Sequence, residues 1–232
     1  MRLPAWSIVF LVSGLLPGCQ CSHPASETTK GVSSVSDTSN GNTSSSYFQP
    51  DQIPGGDRVL SEAMHQNLVT NFKKHLFAQN DNNWVDYVDG YYKPMVDIYN
   101  RDTLLKAVET YAVKMGWYNR VRSQEIEKIT PVEDMDSMWV VGIRAHILLE
   151  VELGDQFKED PEQWLGAVKT KYPYAEYIPE KRLYRVDQDM KFYGLTRKDT
   201  LDFHFLTESF FSDPKLANLI DKDTFVKLRS RE

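Results

Sequence analysis

The sequence predicts an α+β domain in which N-terminal helices pack on a curved antiparallel sheet. Between residues 57 and 115, apolar residues recur every three or four positions, which is typical of amphipathic helices. From about residue 122 the period changes to two, which is typical of strands. Helices followed by a run of strands indicate the α+β class. The 232 residues are 41% hydrophobic, which is enough for one domain with a core and a further segment.

Three helices are expected in the first half of the domain. The first spans residues 57–79. Its apolar stripe consists of Leu60, Met64, Leu68, Phe72 and Leu76. The second helix carries Tyr91 and is ended or kinked by Pro94. The third runs from 102 to 115 and stops at Gly116.

Four strands are expected in the second half of the domain. They are residues 122–132, 137–152, 182–194 and 199–208. A helix that begins with Pro161 separates the second strand from the third. The stretch DPKLANLI, residues 213–220, predicts a short terminal helix.

The phase of each strand decides which side chains line the concave wall of the sheet. On strand 137–152 every second residue from Trp139 to Val151 is apolar, so this phase should face the helices. Arg144, His146 and Glu150 then lie on the outer face.

The same argument places Asp187 and Asp189 outside and leaves only Tyr184 and Gln188 as polar groups on the inner wall. The candidate cavity lining is Trp84, Tyr91, Trp139, Tyr184, Gln188, Met190 and Phe192. Trp84, Trp139, Met190 and Phe192 either pack this space shut or leave it open to an apolar ligand. No carboxylate or histidine enters from the sheet, so no catalytic residue is predicted.

This order of elements resembles the cone-shaped fold of nuclear transport factor 2-like domains. The resemblance is carried by residues 82–109, by the long strand at 137–152, and by Phe203 and Phe205, where relatives often have Trp-x-Phe. Within that superfamily the chain is most similar to uncharacterised bacterial cell-envelope lipoproteins. The superfamily includes isomerases, dehydratases, transport adaptors and secretion-machine subunits, so its fold does not define a function. Its enzymes' acid–base residues match no position here.

The first 18 residues have the three parts of an export signal. Arg2 supplies a positive end, Trp6 to Leu16 is apolar, and small residues follow. The apolar part is about eleven residues long, whereas a spanning helix needs ~20. One interpretation is an ordinary secretory signal that is cut near Gly18.

The stretch LPGC resembles the lipobox of bacterial lipoproteins, in which leucine at −3 and a small residue at −1 precede an obligatory cysteine. Leu16, Gly18 and Cys19 occupy those positions, whereas Pro17 departs from the usual small residue at −2. The resemblance implies that Cys19 becomes the lipidated N-terminus, and acyl chains of this kind hold a protein on a membrane. Cys21 does not fit, because Cys19 would occupy its −2 position.

Residues 19–50 are expected to form a disordered tether before a domain at 51–232. Between residues 22 and 46, 13 of 25 residues are serine or threonine, which is too polar to form a core. Gln20 stands where an aspartate would imply retention at the inner membrane. The expected location is therefore the cell envelope, at the outer membrane where one exists.

Composition excludes several classes of function. The net charge of −6 argues against nucleic-acid binding. The domain has no cysteine, and no phosphate-binding or dinucleotide-binding motif is present, so no cofactor is expected. His65 and His75 are ten residues apart on one predicted helix, roughly 80° from a common face. Both are interpreted as solvent-facing, and no metal site is predicted.

Polar helix residues leave one catalytic alternative open. The candidates are Tyr91, Tyr92, Tyr99, Asp86 and Asp89. The tyrosines fit packing at the edge of the core, and the aspartates fit a solvated face.

Three functions are therefore considered. The first is a lipid-anchored envelope protein whose domain binds a protein partner or a small apolar ligand without catalysis. The second is an isomerase- or dehydratase-like enzyme with a helix-borne acid in the cone. The third is an accessory subunit of an envelope secretion or assembly machine. A titratable residue inside the cone would favour the enzyme.

Overall fold

A computed structural model of the protein describes residues 49–216 and 218–231. They form an α+β domain with several helices and a curved, mostly antiparallel sheet, as predicted. The export signal, Cys19 and the tether up to residue 48 lie outside the described residues. Within the described part of the chain, no helix is long and apolar enough to cross a membrane.

Most helices precede the long strands, and one lies between them. The helices are α1 (Glu62–Phe77), α2 (Trp84–Asp89), α3 (Lys93–Tyr99), α4 (Arg101–Glu109), α5 (Pro161–Lys171) and α6 (Lys222–Arg231). The strands are β1 (Asp51–Gln52), β2 (Arg58–Val59), β3 (Trp117–Ile129), β4 (Glu133–Met135), β5 (Met138–Leu153), β6 (Glu176–Ile178), β7 (Leu183–Arg197) and β8 (His204–Thr207). A π-helical turn, Thr110–Lys114, extends α4.

The main sheet has six strands, in the order β3-β5-β7-β6, with β4 beside β5 and β8 beside β7. The β5–β7 pair is the longest, from Met138 opposite Arg197 to Glu152 opposite Leu183. Among the described strands, β3 has a neighbour on one side only. Two bulges interrupt its pairing with β5, at Arg122 and at Glu127.

The inner face of the sheet is the face on which Val141, Ile143 and Ala145 lie. The alternating apolar residues of β5, from Trp139 to Val151, are all nearly inaccessible to solvent, which confirms the predicted phase. The stripe Met64, Leu68, Phe72 and Leu76 of α1 belongs to the same core. Burial against this helix fixes the phase, because a shift by one residue would bury Arg144 and His146.

A second core covers one end of the opposite, outer face. Val140, Tyr193 and Leu195 alternate with inner-face residues and pack there against side chains of α2, α3, α4 and α6. Residues 90–92 pair with β8, since Phe205 N donates to Gly90 O and Tyr92 N donates to Phe205 O. The chain thereby passes from the inner face to the outer face around β8. The sequence did not predict this second core.

Several predicted element boundaries are wrong. Pro94 does not end a helix but is the second residue of α3. Proline is tolerated in the first turn because the N–H group that it lacks would have no partner within the helix there. The last predicted strand begins only at His204. The predicted helix at 213–220 is absent from its described residues, which form turns, and the terminal helix is α6. Asn100 caps α4, since its Oδ1 accepts from Asp102 N and Thr103 N at 3.0 and 3.2 Å.

Candidate functional site

A small cavity of about 30 Å³ lies between α1, α2 and the inner face of the sheet. Three of the predicted lining residues, Tyr91, Met190 and Phe192, line it. The other lining residues are His75, Leu76, Gln79, Tyr87, Val121, Ile147, Leu149, Tyr172 and Thr207. A space of this size holds one or two water molecules.

The other predicted lining residues lie at different places. Trp139 is buried in the inner core, and the Lys198 ammonium lies 4.5 Å from its ring centroid. Tyr184 is buried and donates its hydroxyl to Pro161 O at 2.7 Å. Gln188 is half-buried on β7, and Trp84 packs against the second core.

His75 is buried, with 4% of its surface exposed, so its prediction as a solvent-facing residue is wrong. Its ring stacks on Tyr87 at 5.2 Å, meets Tyr91 edge-on at 4.7 Å and stacks near Phe205 at 5.6 Å. A Cβ atom at Gly90 would overlap its Nδ1. We call His75, Tyr87, Tyr91, Phe205 and Gly90 the His75 cluster. Its only sequence signal is that His75 directly precedes Leu76 of the apolar stripe.

Burial sets the protonation of this cluster. Loss of solvent lowers the pKa of His75 to about 3, which a backbone interaction with Tyr87 only partly offsets. Tyr91 donates its hydroxyl to Tyr87 at 2.5 Å. Burial raises the pKa of Tyr87 to about 12 and that of Tyr91 well above its usual value. At neutral pH all three groups are therefore uncharged.

The remaining helix candidates have structural partners. Asp89 forms a bidentate ion pair with Arg101, in which Nε donates to Oδ1 at 2.6 Å and Nη2 donates to Oδ2 at 2.8 Å. Tyr99 donates its hydroxyl to Asp213. Asp86 lies 3.4 Å from Lys74 on the surface. Tyr92 packs against the second core.

A larger groove of about 450 Å³ runs between α1 and β3. We call it the α1–β3 groove. It is lined by Val59, Leu60, His65, Val69, Gln124, Ile126, Glu127, Lys128, Ile129 and Thr130. The apolar members expose part of their surface there, and His65 is exposed as predicted. The sequence did not predict this groove, because its two walls are about 60 residues apart along the chain.

Asn80 covers one point on the free edge of β3. Its Nδ2 donates to Val121 O at 2.8 Å, and its Oδ1 accepts from Val121 N at 2.7 Å. This side-chain amide therefore takes the place of a neighbouring strand at Val121. The described part of the chain provides no strand beside residues 123–129 on that side.

The outer face carries charged side chains, as the strand phase predicts. Arg122 and Arg185 pair with Glu150 at 2.6 and 3.3 Å. His146 lies between two carboxylates, with Nε2 2.7 Å from Asp187 and Nδ1 2.9 Å from Asp189. Hydrogen bonds to Asp189 and Asp187 raise the pKa of His146.

One of these clusters has the composition of a metal site. Glu127, His146 and Asp189 each offer one ligand atom, and these atoms lie within 4.8 Å of one another. They come from β3, β5 and β7, so their spacing along the chain contained no signal of a shared site.

Comparison of the chain with protein-family models, with curated proteins and with solved structures found no match. Its resemblance to nuclear transport factor 2-like domains stays a prediction. Function is therefore inferred from the cavity, the groove and the charged clusters.

Proposed function

We propose that the chain is a lipid-anchored cell-envelope protein with a domain of the nuclear transport factor 2-like kind. This domain binds an extended segment of a protein partner and performs no reaction. The observation that carries the proposal is the α1–β3 groove, about 450 Å³ in volume, which lies along the free edge of β3.

The groove offers both components of strand addition. The free edge of β3 presents backbone N–H and C=O groups, which give affinity for an extended peptide. Leu60, Val69 and Ile126 supply apolar contacts for every second side chain of such a peptide. Asn80 already occupies Val121, so the added strand would lie beside residues 123–129.

The expected anchor fits this role. Lipidation at Cys19 would hold the protein on the envelope membrane, and a flexible chain of ~30 residues reaches ~30 Å on average. The domain could then turn its groove towards a partner. An accessory subunit of a secretion or assembly machine would use the groove in the same way.

The enzyme alternative has one observation in its favour, the titratable His75 inside the core. Two properties weigh against catalysis at this place. The adjoining cavity of about 30 Å³ is too small for an organic substrate. A pKa of about 3 also leaves His75 a weak base. The groove is therefore the better ligand site.

Photo-crosslinking in cells that make the full lipidated chain tests the proposal. A photo-reactive amino acid at His65, which is exposed in the groove, should yield a crosslinked partner. The matched control is Thr70, exposed on the same helix but turned about 140° away. Mass spectrometry should map the crosslink to an extended segment of that partner.

Hydrogen exchange with the purified partner provides the second measurement. The amides of residues 123–129 that point away from β5 should become protected, because they would bond to the added strand. Equal crosslinking from Thr70, or protection confined to other strands, would reject the groove as the binding site.

A further inference from the structure

The centre of the outer face brings three potential metal ligands together. His146 on β5 lies opposite Asp189 on β7 and near Glu127 on β3. One ligand atom of each lies within 4.8 Å of the others. Zn²⁺ binds nitrogen and oxygen at about 2.0–2.2 Å, so small side-chain movements would bring these atoms around one ion.

Asp187 gives His146 the orientation that a metal ligand needs. Nε2 of His146 lies 2.7 Å from Asp187, and Nδ1 lies 2.9 Å from Asp189. If Nε2–H donates to Asp187, the lone pair of Nδ1 faces Asp189. A carboxylate behind the imidazole is the usual support of a metal-binding histidine. This arrangement separates the four residues into three ligands and one positioning residue.

The backbone beneath the cluster is firmly held. β5 and β7 pair without interruption through His146 and Asp189. Glu127 is the extra residue of a bulge in β3, and bulges redirect side chains. Arg144 Nε lies 3.0 Å from Glu127 Oε2, which leaves Oε1 for an ion.

We propose that Glu127, His146 and Asp189 bind a divalent transition-metal ion, of which Zn²⁺ is the one to test, with Asp187 as the positioning residue. Two carboxylates and an imidazole suit a borderline ion of this kind. Water completes the coordination, because His146 is partly exposed. Glu127 also lines the α1–β3 groove. Metal binding is nevertheless measured on the chain without a partner, so its failure and the failure of the proposed partner binding are distinguishable.

Calorimetric titration of ZnCl₂ into the metal-free full chain in detergent, purified without a histidine tag, tests the proposal. One equivalent should bind with saturation. Glu127→Gln, His146→Gln and Asp189→Asn should each weaken binding at least tenfold, and Asp187→Asn should weaken it about tenfold. The matched control is His204→Gln, because His204 also pairs with an aspartate, Asp202, at 3.4 Å and should leave the affinity unchanged.

NMR identifies the ligand atom. Zn²⁺ should shift the ring signals of His146 and leave those of His204 in place. The variants lie on the exposed face, so their melting temperatures without metal serve as a folding check. Absence of saturable binding, or equal loss of affinity in His204→Gln, would overturn the proposal. So would full affinity in Glu127→Gln and Asp189→Asn.

Discussion

At the scale of single residues, His75 is buried in close contact with its neighbours. Three aromatic rings and the backbone of Gly90 enclose its imidazole. Burial keeps the ring neutral, because no carboxylate in the cluster compensates for a positive charge. The position consequently links the stability of the fold to pH and to the size of residue 90.

His75 should make folding sensitive to acid. Its pKa is about 3 in the folded state, against an ordinary 6.5, so between these values the unfolded chain binds more protons and stability falls with falling pH. Lowering the pH from 6.5 to 4 should reduce the contribution of His75 to the free energy of unfolding by about 3 kcal/mol. Urea unfolding at several pH values measures this. The free energy of unfolding of His75→Phe should fall less between pH 6.5 and 4 than that of the unchanged protein. Parallel pH profiles for the two proteins would contradict this.

Gly90 should not tolerate a methyl group. Gly90→Ala should destabilise the fold by about 1–3 kcal/mol, because the new Cβ would overlap His75 Nδ1. The matched control is Gly166→Ala on α5, where a Cβ meets nothing within 4 Å; it should stabilise by up to about 1 kcal/mol. Chemical denaturation measures both. If the two variants changed stability alike, the close approach of Gly90 to His75 would be wrong.

At the scale of elements, β8 and β3 differ in what covers their outer edges. The edge at β8 is covered by residues 90–92, which bond to Phe205. Among the described residues, the edge at β3 is covered at Val121 by the side chain of Asn80. Exposed strand edges invite pairing with other chains, which is why we propose β3 as the edge that receives the partner.

Asn80→Asp should test the side-chain cover of β3. The carboxylate still accepts from Val121 N but cannot donate to Val121 O, which leaves that carbonyl facing a negative charge. We expect the free energy of unfolding, measured by urea denaturation, to fall by about 1–3 kcal/mol. Asn218→Asp, at an exposed turn, should change stability by less than about 0.5 kcal/mol. Equal losses of stability in the two variants would speak against the cover.

At the scale of the whole molecule, an acidic domain is joined to a candidate membrane anchor. The domain carries the entire net charge of −6, because Arg2 and Lys30 balance Glu27 and Asp37 in the first 50 residues. Anionic lipids would repel such a domain. Membrane attachment should therefore depend on the lipid and not on the domain surface.

Cys19→Ser should leave the export signal uncut and abolish lipidation. Only Cys19 follows Leu16 and Gly18 at the positions that resemble a lipobox. Metabolic labelling with a fatty-acid analogue measures the modification, and Cys21→Ser is the matched control, which should keep the label. Label retained in Cys19→Ser but lost in Cys21→Ser would assign the anchor to the other cysteine.

The sequence by itself determined the α+β class and the phases of β5 and β7. Alternation along a strand is a local property, and moving Ile143 outward would bury Arg144 in its place. The cap at Asn100 is local as well, since it depends on residues two and three positions away, but the structure chose Asn100 over Asp102. The sequence-based prediction at Pro94 was wrong. A proline between two helices can follow the end of the first or lie in the first turn of the second, and the local sequence does not distinguish the two.

Only the tertiary structure decided where the candidate sites lie. His75 is enclosed because α2 folds back on α1. The α1–β3 groove exists because α1 and the edge strand β3 lie side by side although α2, α3 and α4 separate them along the chain. Glu127, His146 and Asp189 converge through strand register and a bulge. These are contacts between residues distant along the chain, and no local pattern specifies them.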